Sequence, residues 1–275
     1  MPIERTIAFL GAGNMAAALI DGLIAAGTCR PEDLTATDVR PERLKELVDR
    51  HGIRGTASNP EAVAEADVVI LALKPQVLSV VLDGIKDSLR PEALVVSVAA
   101  GVPAHVIEGR LAPGTRVVRT MPNTPALVHA GATGIAPGAR ASKDDLELVE
   151  QLFGSVGSAV TVSEQLLDAV TGLSGSGPAY VFVMIEALSD AGVKMGLPRD
   201  AALELAAQTV YGAAKVVLES GEHPARLKDR VTSPAGTTIA GVHALEKGGL
   251  RNIMFEAVQA ATQRADELGK KASEG

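Results

Sequence analysis

With 275 residues, the chain is long enough for about two domains and for a core that buries about three quarters of the unfolded surface. Its 47% hydrophobic and 21% charged residues are typical of a globular protein and exclude disorder as the main state. A net charge of −7 with only 2% aromatic residues argues against a nucleic-acid partner. The single cysteine excludes an intrachain disulfide, and there is no apolar run of about 18 residues. We therefore expect a soluble cytoplasmic protein with no membrane partner.

Short apolar runs alternate with polar, helix-period segments over the first 160 residues. The runs are rich in Val, Ile and Leu and cover residues 6–10, 33–37, 67–73, 93–98, 116–119 and 131–136. Short buried strands separated by helices are typical of βαβ units. The pattern predicts an α/β domain with a mostly parallel, doubly wound sheet over residues 1–162.

From about Ser163 the strand signal stops, and long Ala-rich segments follow at residues 177–196, 198–220 and 250–269. Pro178 and Pro198 are expected at first-turn positions, and Gly196 and Gly221 lie at two of the ends. The pattern predicts an all-α domain over residues 163–275.

The first of these helices carries few charges. Between residues 180 and 194 they are Glu186, Asp190 and Lys194, spaced four apart, so one narrow polar stripe leaves the other faces apolar. Such a helix needs cover on most sides. We expect a second copy of the chain to supply it in an extensive homodimer; cover by the N-terminal domain is the alternative.

A G-x-G-x-x-A string lies between the first apolar run and an amphipathic helix, and consists of Gly11, Ala12, Gly13, Asn14, Met15 and Ala16. In dinucleotide-binding turns the first Gly permits a tight turn, and the second lets a pyrophosphate approach the backbone. The small last residue lets helix pack on strand, and the helix N-terminus faces the phosphates. A strand-to-helix turn without a ligand is the alternative.

Two charges of opposite sign lie where such folds recognise the adenosine ribose. Asp38, about 22 residues after Ala16, stands where an acid holds the ribose 2′-OH of NAD. Arg40 is a natural bidentate partner for the 2′-phosphate of NADP. The two signals conflict, so the choice between NAD(H) and NADP(H) stays open.

Three further segments follow predicted strands, at the edge where doubly wound sheets have their crevice. The first is Ala72, Leu73, Lys74 and Pro75; the second begins Val98, Ala99, Ala100; the third is the proline-rich 119–125. The small residues of the second would let a nicotinamide lie against backbone, and the prolines of the third would hold a loop rigid. Each alone is compatible with ordinary turn chemistry.

Two uncharged segments of the helical half place hydroxyls and glycines before a helix N-terminus. One is 173–180, with Ser176; the other is 231–238, with Ser233, Gly236, Thr237 and Thr238, where Ser233 is the expected N-cap before Pro234. Helix-start N–H groups and hydroxyls suit a carboxylate without a basic side chain. Two capped helix starts without a ligand are the alternative.

These motifs together resemble the pyrroline-5-carboxylate reductase family over nearly the whole chain, and segments 173–180 and 233–239 are specific to that family. The resemblance implies an N-terminal Rossmann domain, a helical domain that intertwines with a partner into a dimer, and dimers assembled into rings. It also implies NAD(P)H as hydride donor and a cyclic imino acid as substrate, in the last step of proline biosynthesis.

By the same resemblance, Thr238 would hydrogen-bond the imine nitrogen, and the loop from Ser233 to Thr238 would hold the carboxylate. The implied cofactor contacts are Leu10, Gly11, Ala12, Gly13, Asn14, Met15, Arg40, Asn59, Ala72, Leu73, Lys74, Pro75, Val98, Ala99 and Ala100. Two positions depart from the family: Ala235 stands where a Gly is usual, and Asp38 where an Asn or a small residue is frequent.

Two other classes of function stay open. A related imine or β-hydroxyacid reductase shares the two-domain plan, although Lys194 and Lys215 lack the flanking pattern of the hydroxyacid enzymes. A protein that binds NAD(P) without turnover would have no need of the two uncharged segments. The five histidines lack metal-ligand spacing, and we expect no metal site.

Overall fold

A computed structural model describes residues 3–274 of the chain, with side chains up to residue 271. The fold contains two compact units. The first runs to Ser176 and includes the segment from Gln259 on, and the second is Gly177–Val258. The domain division expected between residues 162 and 163 stays a prediction.

The first unit is built on an eight-stranded sheet. The strands are Ile7–Leu10 (β1), Leu34–Thr37 (β2), Arg54–Thr56 (β3), Val68–Leu71 (β4), Leu94–Ser97 (β5), Arg116–Met121 (β6), Gly131–Pro137 (β7) and Gly157–Thr161 (β8). Their spatial order is β3-β2-β1-β4-β5-β6-β7-β8, and neighbours are parallel except that β7 runs antiparallel to β6. The order reverses between β1 and β4, as in doubly wound dinucleotide-binding folds, which confirms the predicted fold class.

Helices cover both faces of this sheet. They are Asn14–Ala25 (α1), Pro41–His51 (α2), Asn59–Ala64 (α3), Pro75–Ile85 (α4), Ala104–Glu108 (α5) and Lys143–Gly154 (α6). Successive strand residues point to opposite faces, so Phe9 and Ile70 pack in one core with residues of α1 and α6. Leu10 and Leu71 pack in the other core, with residues of α3, α4 and α5.

The second half of the chain is helical, as expected. Its helices are Leu167–Val170 (α7), a π-helical turn at Thr171–Gly175, Gly177–Lys194 (α8), Arg199–Ser220 (α9), Pro224–Arg230 (α10), Thr237–Lys247 (α11) and Leu250–Glu274 (α12). The helices α8 and α9 pack through small side chains, with Ser189, Ala202 and Ala206 buried. Pro198 is the N-cap of α9, so its predicted first-turn position is wrong by one residue.

The six predicted strands lie within two residues of the observed ones at each end. Two strands, β3 and β8, were not predicted. Both lie at edges of the sheet, and β3 begins with exposed Arg54 and Gly55, so neither carries the buried apolar run on which the prediction depends. In the described part of the chain, no helix combines the length and the apolar character needed to cross a membrane.

Candidate functional site

The glycine turn after β1 is held between two neighbouring strands by backbone hydrogen bonds. The N–H of Gly11 donates to the carbonyl oxygen of Thr37 at 2.9 Å, and the N–H of Ala72 donates to that of Leu10 at 2.9 Å. Gly11 has φ +99°, and a Cβ there would lie 2.6 Å from the carbonyl oxygen of Ala72. Only glycine satisfies both conditions, so β1, β2 and β4 converge on this residue.

The start of α1 is open. Gly13 is the N-cap, and no side chain caps the helix. A Cβ on Gly13 would meet nothing within 4 Å, whereas Ala16 is fully buried where the helix packs on the sheet. The first N–H groups of a helix have no intrahelical partner and carry the positive end of its dipole. The turn therefore offers free donors and free space to an anionic group such as a pyrophosphate.

The side chain of Asp38 is turned toward the glycine turn. Its Oδ2 accepts a hydrogen bond from the N–H of Ala12 at 2.9 Å, and its Oδ1 accepts from the backbone N–H and the Nε of Arg40 at 2.9 and 3.0 Å. The Asp38 side chain is 6% exposed and that of Arg40 is 52% exposed. Asp38 thus stabilises the glycine turn through the Ala12 N–H, and the guanidinium of Arg40 is accessible to solvent.

Burial would by itself raise the pKa of Asp38. The hydrogen bonds from Arg40 and Ala12, together with the Arg40 charge, outweigh burial and hold this pKa below its ordinary value. The Asp38 carboxylate is therefore ionised at neutral pH and would repel a 2′-phosphate brought close to it. This repulsion would be offset if the Arg40 guanidinium left the carboxylate and paired with the phosphate.

The remaining residues expected to contact a cofactor also follow carboxyl ends of parallel strands, and so lie along one edge of the sheet. Asn59 begins α3 after β3, and its Oδ1 accepts from the Thr37 hydroxyl at 2.6 Å. After β4, Lys74 is the N-cap of α4 and Pro75 its first residue. Val98, Ala99 and Ala100 follow β5. Sequence reasoning missed the hydroxyls of Thr37 and Ser97. The Thr37 hydroxyl donates to Asn59, 22 residues away, and the Ser97 hydroxyl accepts from the Ala99 N–H.

Ser176 lies in the first unit, directly before α8. Its N–H donates to the carbonyl oxygen of Thr171 at 2.8 Å and closes the π-helical turn Thr171–Gly175. π-Helical turns are rare in proteins, and those that do occur are often found at functional sites. The expected uncharged helix start is therefore present, in a less regular form than a capped helix.

In the second unit, residues 233–236 form a tight turn before α11. The N–H of Gly236 donates to the carbonyl oxygen of Ser233 at 3.1 Å, and a Cβ on Gly236 would clash with the Ser233 hydroxyl. Gly236 is the N-cap, so the prediction of Ser233 in that role is wrong. The reason is Ala235, whose φ of +57° is left-handed and keeps the helix from starting before Thr237. Thr237 and Thr238 are the first two residues of α11.

A parallel sheet with an open glycine turn at the point where its strand order reverses defines a dinucleotide-binding protein of the Rossmann type. The uncapped helix start at Thr237 adds a second candidate anion seat, in the helical half.

Comparisons with known proteins narrow this class. Residues 164–268 match a family profile described as pyrroline-5-carboxylate reductase dimerisation, and residues 6–101 match one described as NADP oxidoreductase, coenzyme F420-dependent. A pyrroline-5-carboxylate reductase of Methanosarcina acetivorans is 53% identical over 268 residues, which cover 98% of this chain and 99% of that protein.

Solved structures give the same result. A pyrroline-5-carboxylate reductase from Coxiella burnetii superposes with a TM-score of 0.93 at 40% identity, over 97% of this chain and 99% of that one. A Plasmodium falciparum pyrroline carboxylate reductase with NADP bound gives a TM-score of 0.85 at 31% identity, over 98% and 100%. The chain belongs to the pyrroline-5-carboxylate reductase family, which confirms the resemblance found in its sequence.

The open space beside Gly13 generates a first prediction. Gly13→Val should abolish dinucleotide binding while leaving the fold intact, because the branched side chain would fill space that the protein leaves empty. NAD(P)H fluorescence titration measures the loss, and circular dichroism checks the fold. Gly84→Val is the matched control, since Gly84 also has nothing within 4 Å but lies in α4. Unchanged affinity in Gly13→Val would contradict the assignment.

The pair of Asp38 and Arg40 generates a second prediction. Asp38→Asn keeps an acceptor for the Ala12 N–H and removes the repulsive charge, so the ratio of kcat/KM for NADPH over NADH should rise about tenfold. Arg40→Ala should lower the same ratio about tenfold. Arg43→Ala, on the exposed side of α2, should leave the ratio unchanged. If neither of the first two variants moves it, these side chains do not line the adenosine site.

The left-handed Ala235 generates a third prediction. Ala235→Gly should increase the free energy of unfolding by up to about 1 kcal/mol, because glycine adopts this φ without steric strain. Ala214→Gly in the exposed middle of α9 should instead decrease it by about 1 kcal/mol. Urea denaturation of both variants compares the two signs. A loss of stability in Ala235→Gly would show that the turn is not strained.

Proposed function

We propose that this chain is an NAD(P)H-dependent pyrroline-5-carboxylate reductase, which transfers a hydride to the C=N bond of 1-pyrroline-5-carboxylate and produces L-proline. The observation that carries the proposal is the open, uncapped start of α1 at Gly13, in a chain that aligns with reductases of this name over almost its whole length. This is the last step of proline biosynthesis, and we place it in the cytoplasm.

The residues present fit a dinucleotide. The N–H groups after Gly13, at the start of α1, would hold the pyrophosphate, and Arg40 would face a 2′-phosphate. The segments 72–75 and 98–100, at the ends of β4 and β5, would line the nicotinamide side. When bound, the reduced nicotinamide supplies the hydride. The protein has to hold the imine carbon close to it and exclude water.

The substrate would lie against the turn before α11. The turn at Gly236 would present the N–H groups of Thr237 and Thr238 to its carboxylate, with the hydroxyl of Ser233 as a further donor. Ser176, at the other uncharged helix start, is a second proposed substrate contact. Thr238 would donate its hydroxyl hydrogen bond to the imine nitrogen. Residues 231–238 contain no Asp, Glu or His, so the proton on this nitrogen would come from water and not from a strong protein acid.

The helical half suits self-association. Its large apolar side chains are exposed in the single chain, for example Phe182 at 63%, Val183 at 64% and Phe255 at 76%. Exposed patches of this kind mark protein interfaces. The dimerisation family profile covers the same region, and a homo-oligomer follows. An intertwined dimer, and rings of such dimers, are part of the proposal.

The direct test is to mix the protein with NADH or NADPH and pyrroline-5-carboxylate and to follow the absorbance of the reduced nicotinamide. Oxidation that requires the imine and yields proline supports the proposal. Cofactor binding without oxidation would instead indicate a protein that binds NAD(P) without turnover. Oxidation of NAD(P)H only with a different imine, or with the carbonyl form of a β-hydroxyacid, would indicate the related reductase.

Thr238 generates the prediction for this site. Thr238→Ala removes one hydroxyl, so kcat/KM for the imine should fall by about five- to a hundredfold, or about 1 to 3 kcal/mol, while NAD(P)H affinity stays the same. If the hydrogen bond from Thr238 tightens as the nitrogen becomes an amine, its loss should mainly lower kcat. If the bond is already made in the ground state, its loss should mainly raise KM.

Two further variants serve as controls for Thr238→Ala. Thr238→Ser keeps the hydroxyl and should retain most activity. Thr209→Ala removes a hydroxyl from α9 that donates to the Leu205 carbonyl oxygen, and should leave kinetics unchanged. Wild-type kinetics in Thr238→Ala would place the chemistry elsewhere, with Ser176 as the next residue to test.

A further inference from the structure

Asn123 joins two segments that the sequence singled out separately. It follows β6 and is the N-cap of the 3₁₀ turn Thr124–Val128, and the residue is only 8% exposed. Its side-chain Nδ2 donates to the carbonyl oxygen of Ser174 at 3.0 Å, and its Oδ1 accepts from the N–H of Ala132 at 2.8 Å. Both ends of this buried amide are therefore occupied.

The carbonyl that Asn123 holds belongs to the π-helical turn Thr171–Gly175. This turn leads into Ser176, whose N–H returns to the Thr171 carbonyl oxygen. Met121, the last residue of β6, packs close to the same turn, because a Cβ on Gly175 would lie 2.7 Å from its Cε. A donor and a packed methyl group thus fix the two residues that precede Ser176.

We propose that Asn123 is a positioning residue for the reaction: by holding the Ser174 carbonyl it sets the direction of Ser176. This inference rests on the proposed function, in which Ser176 faces the substrate. A buried neutral amide suits the task because it offers one donor and one acceptor with fixed geometry and adds no charge near the imine. The competing role is purely structural, with Asn123 holding only its own loop through Ala132.

Asn123→Asp separates the two roles. Its carboxylate still accepts from the Ala132 N–H, but it places an oxygen opposite the Ser174 carbonyl, where the donor was. At pH 8, kcat/KM for the imine should fall about five- to thirtyfold, and the Kd of NAD(P)H should change less than twofold. Amide hydrogen exchange of a peptide that covers residues 171–178 should become faster.

Thr115→Val is the matched control. Thr115 is as buried as Asn123, and the variant removes a hydroxyl that donates to the Ala112 carbonyl oxygen while it leaves the bond from Asn123 to Ser174 in place. Its kinetics with the imine should stay within twofold of wild type. Asn123→Ala, which loses both bonds, should lower the melting temperature in addition to reproducing the kinetic loss.

Several outcomes would overturn the inference. In Asn123→Asp these are wild-type kinetics with the imine, an equal loss of NAD(P)H affinity, or unchanged exchange at residues 171–178. A wild-type chain that does not reduce the imine refutes the proposed function. In that case the exchange measurement still decides whether Asn123 holds the turn.

Discussion

The close approach of two backbone strands at Gly11 is the constraint on which the rest of the site depends. The carbonyl oxygen of Ala72 occupies the space that a side chain at Gly11 would need, and the φ of +99° excludes other residues there. Because β1 and β4 meet at this point, the strand order reverses here and a crevice opens at the carboxyl edge. The N-cap of α1, Gly13, follows two residues later, and the free N–H groups at the start of this helix face that crevice.

Sequence pattern predicted the sheet well where strands are buried on both faces. Four central strands, β1, β4, β5 and β6, are recognisable from the sequence, because burial on both faces requires a continuous apolar run. β3 and β8 pair on one side only and have exposed residues, so packing and not composition makes them strands. The three helices whose bounds were predicted, α8, α9 and α12, lie within about five residues of those bounds, whereas α10 was not predicted.

The parts of the candidate site that consist of contiguous residues could be predicted from the sequence. The glycine turn and the two uncharged helix starts are local motifs, and each has its own physical signal. The hydrogen bond from the Ala12 N–H to the Asp38 carboxylate joins residues 26 apart, and the one from the Asn123 amide to the Ser174 carbonyl oxygen joins residues 51 apart. No local pattern reveals such pairs. Likewise, Ser233 is a residue type favoured at N-caps, but the positive φ of Ala235 delays the helix start, so that Gly236 is the N-cap.

The neutrality of the turn before α11 follows from the chemistry proposed for it. The imine accepts hydride better when its nitrogen is protonated, so the bound substrate carries a carboxylate and an iminium a few bonds apart. A full positive charge from Arg or Lys close to the carboxylate would also lie close to that nitrogen and would disfavour its protonated form. A helix start supplies only about half an elementary charge, spread over several N–H groups that point at the anion. At the proposed seat the carboxylate would then be bound with less penalty to the iminium, which would account for the hydroxyls and glycines of residues 231–238.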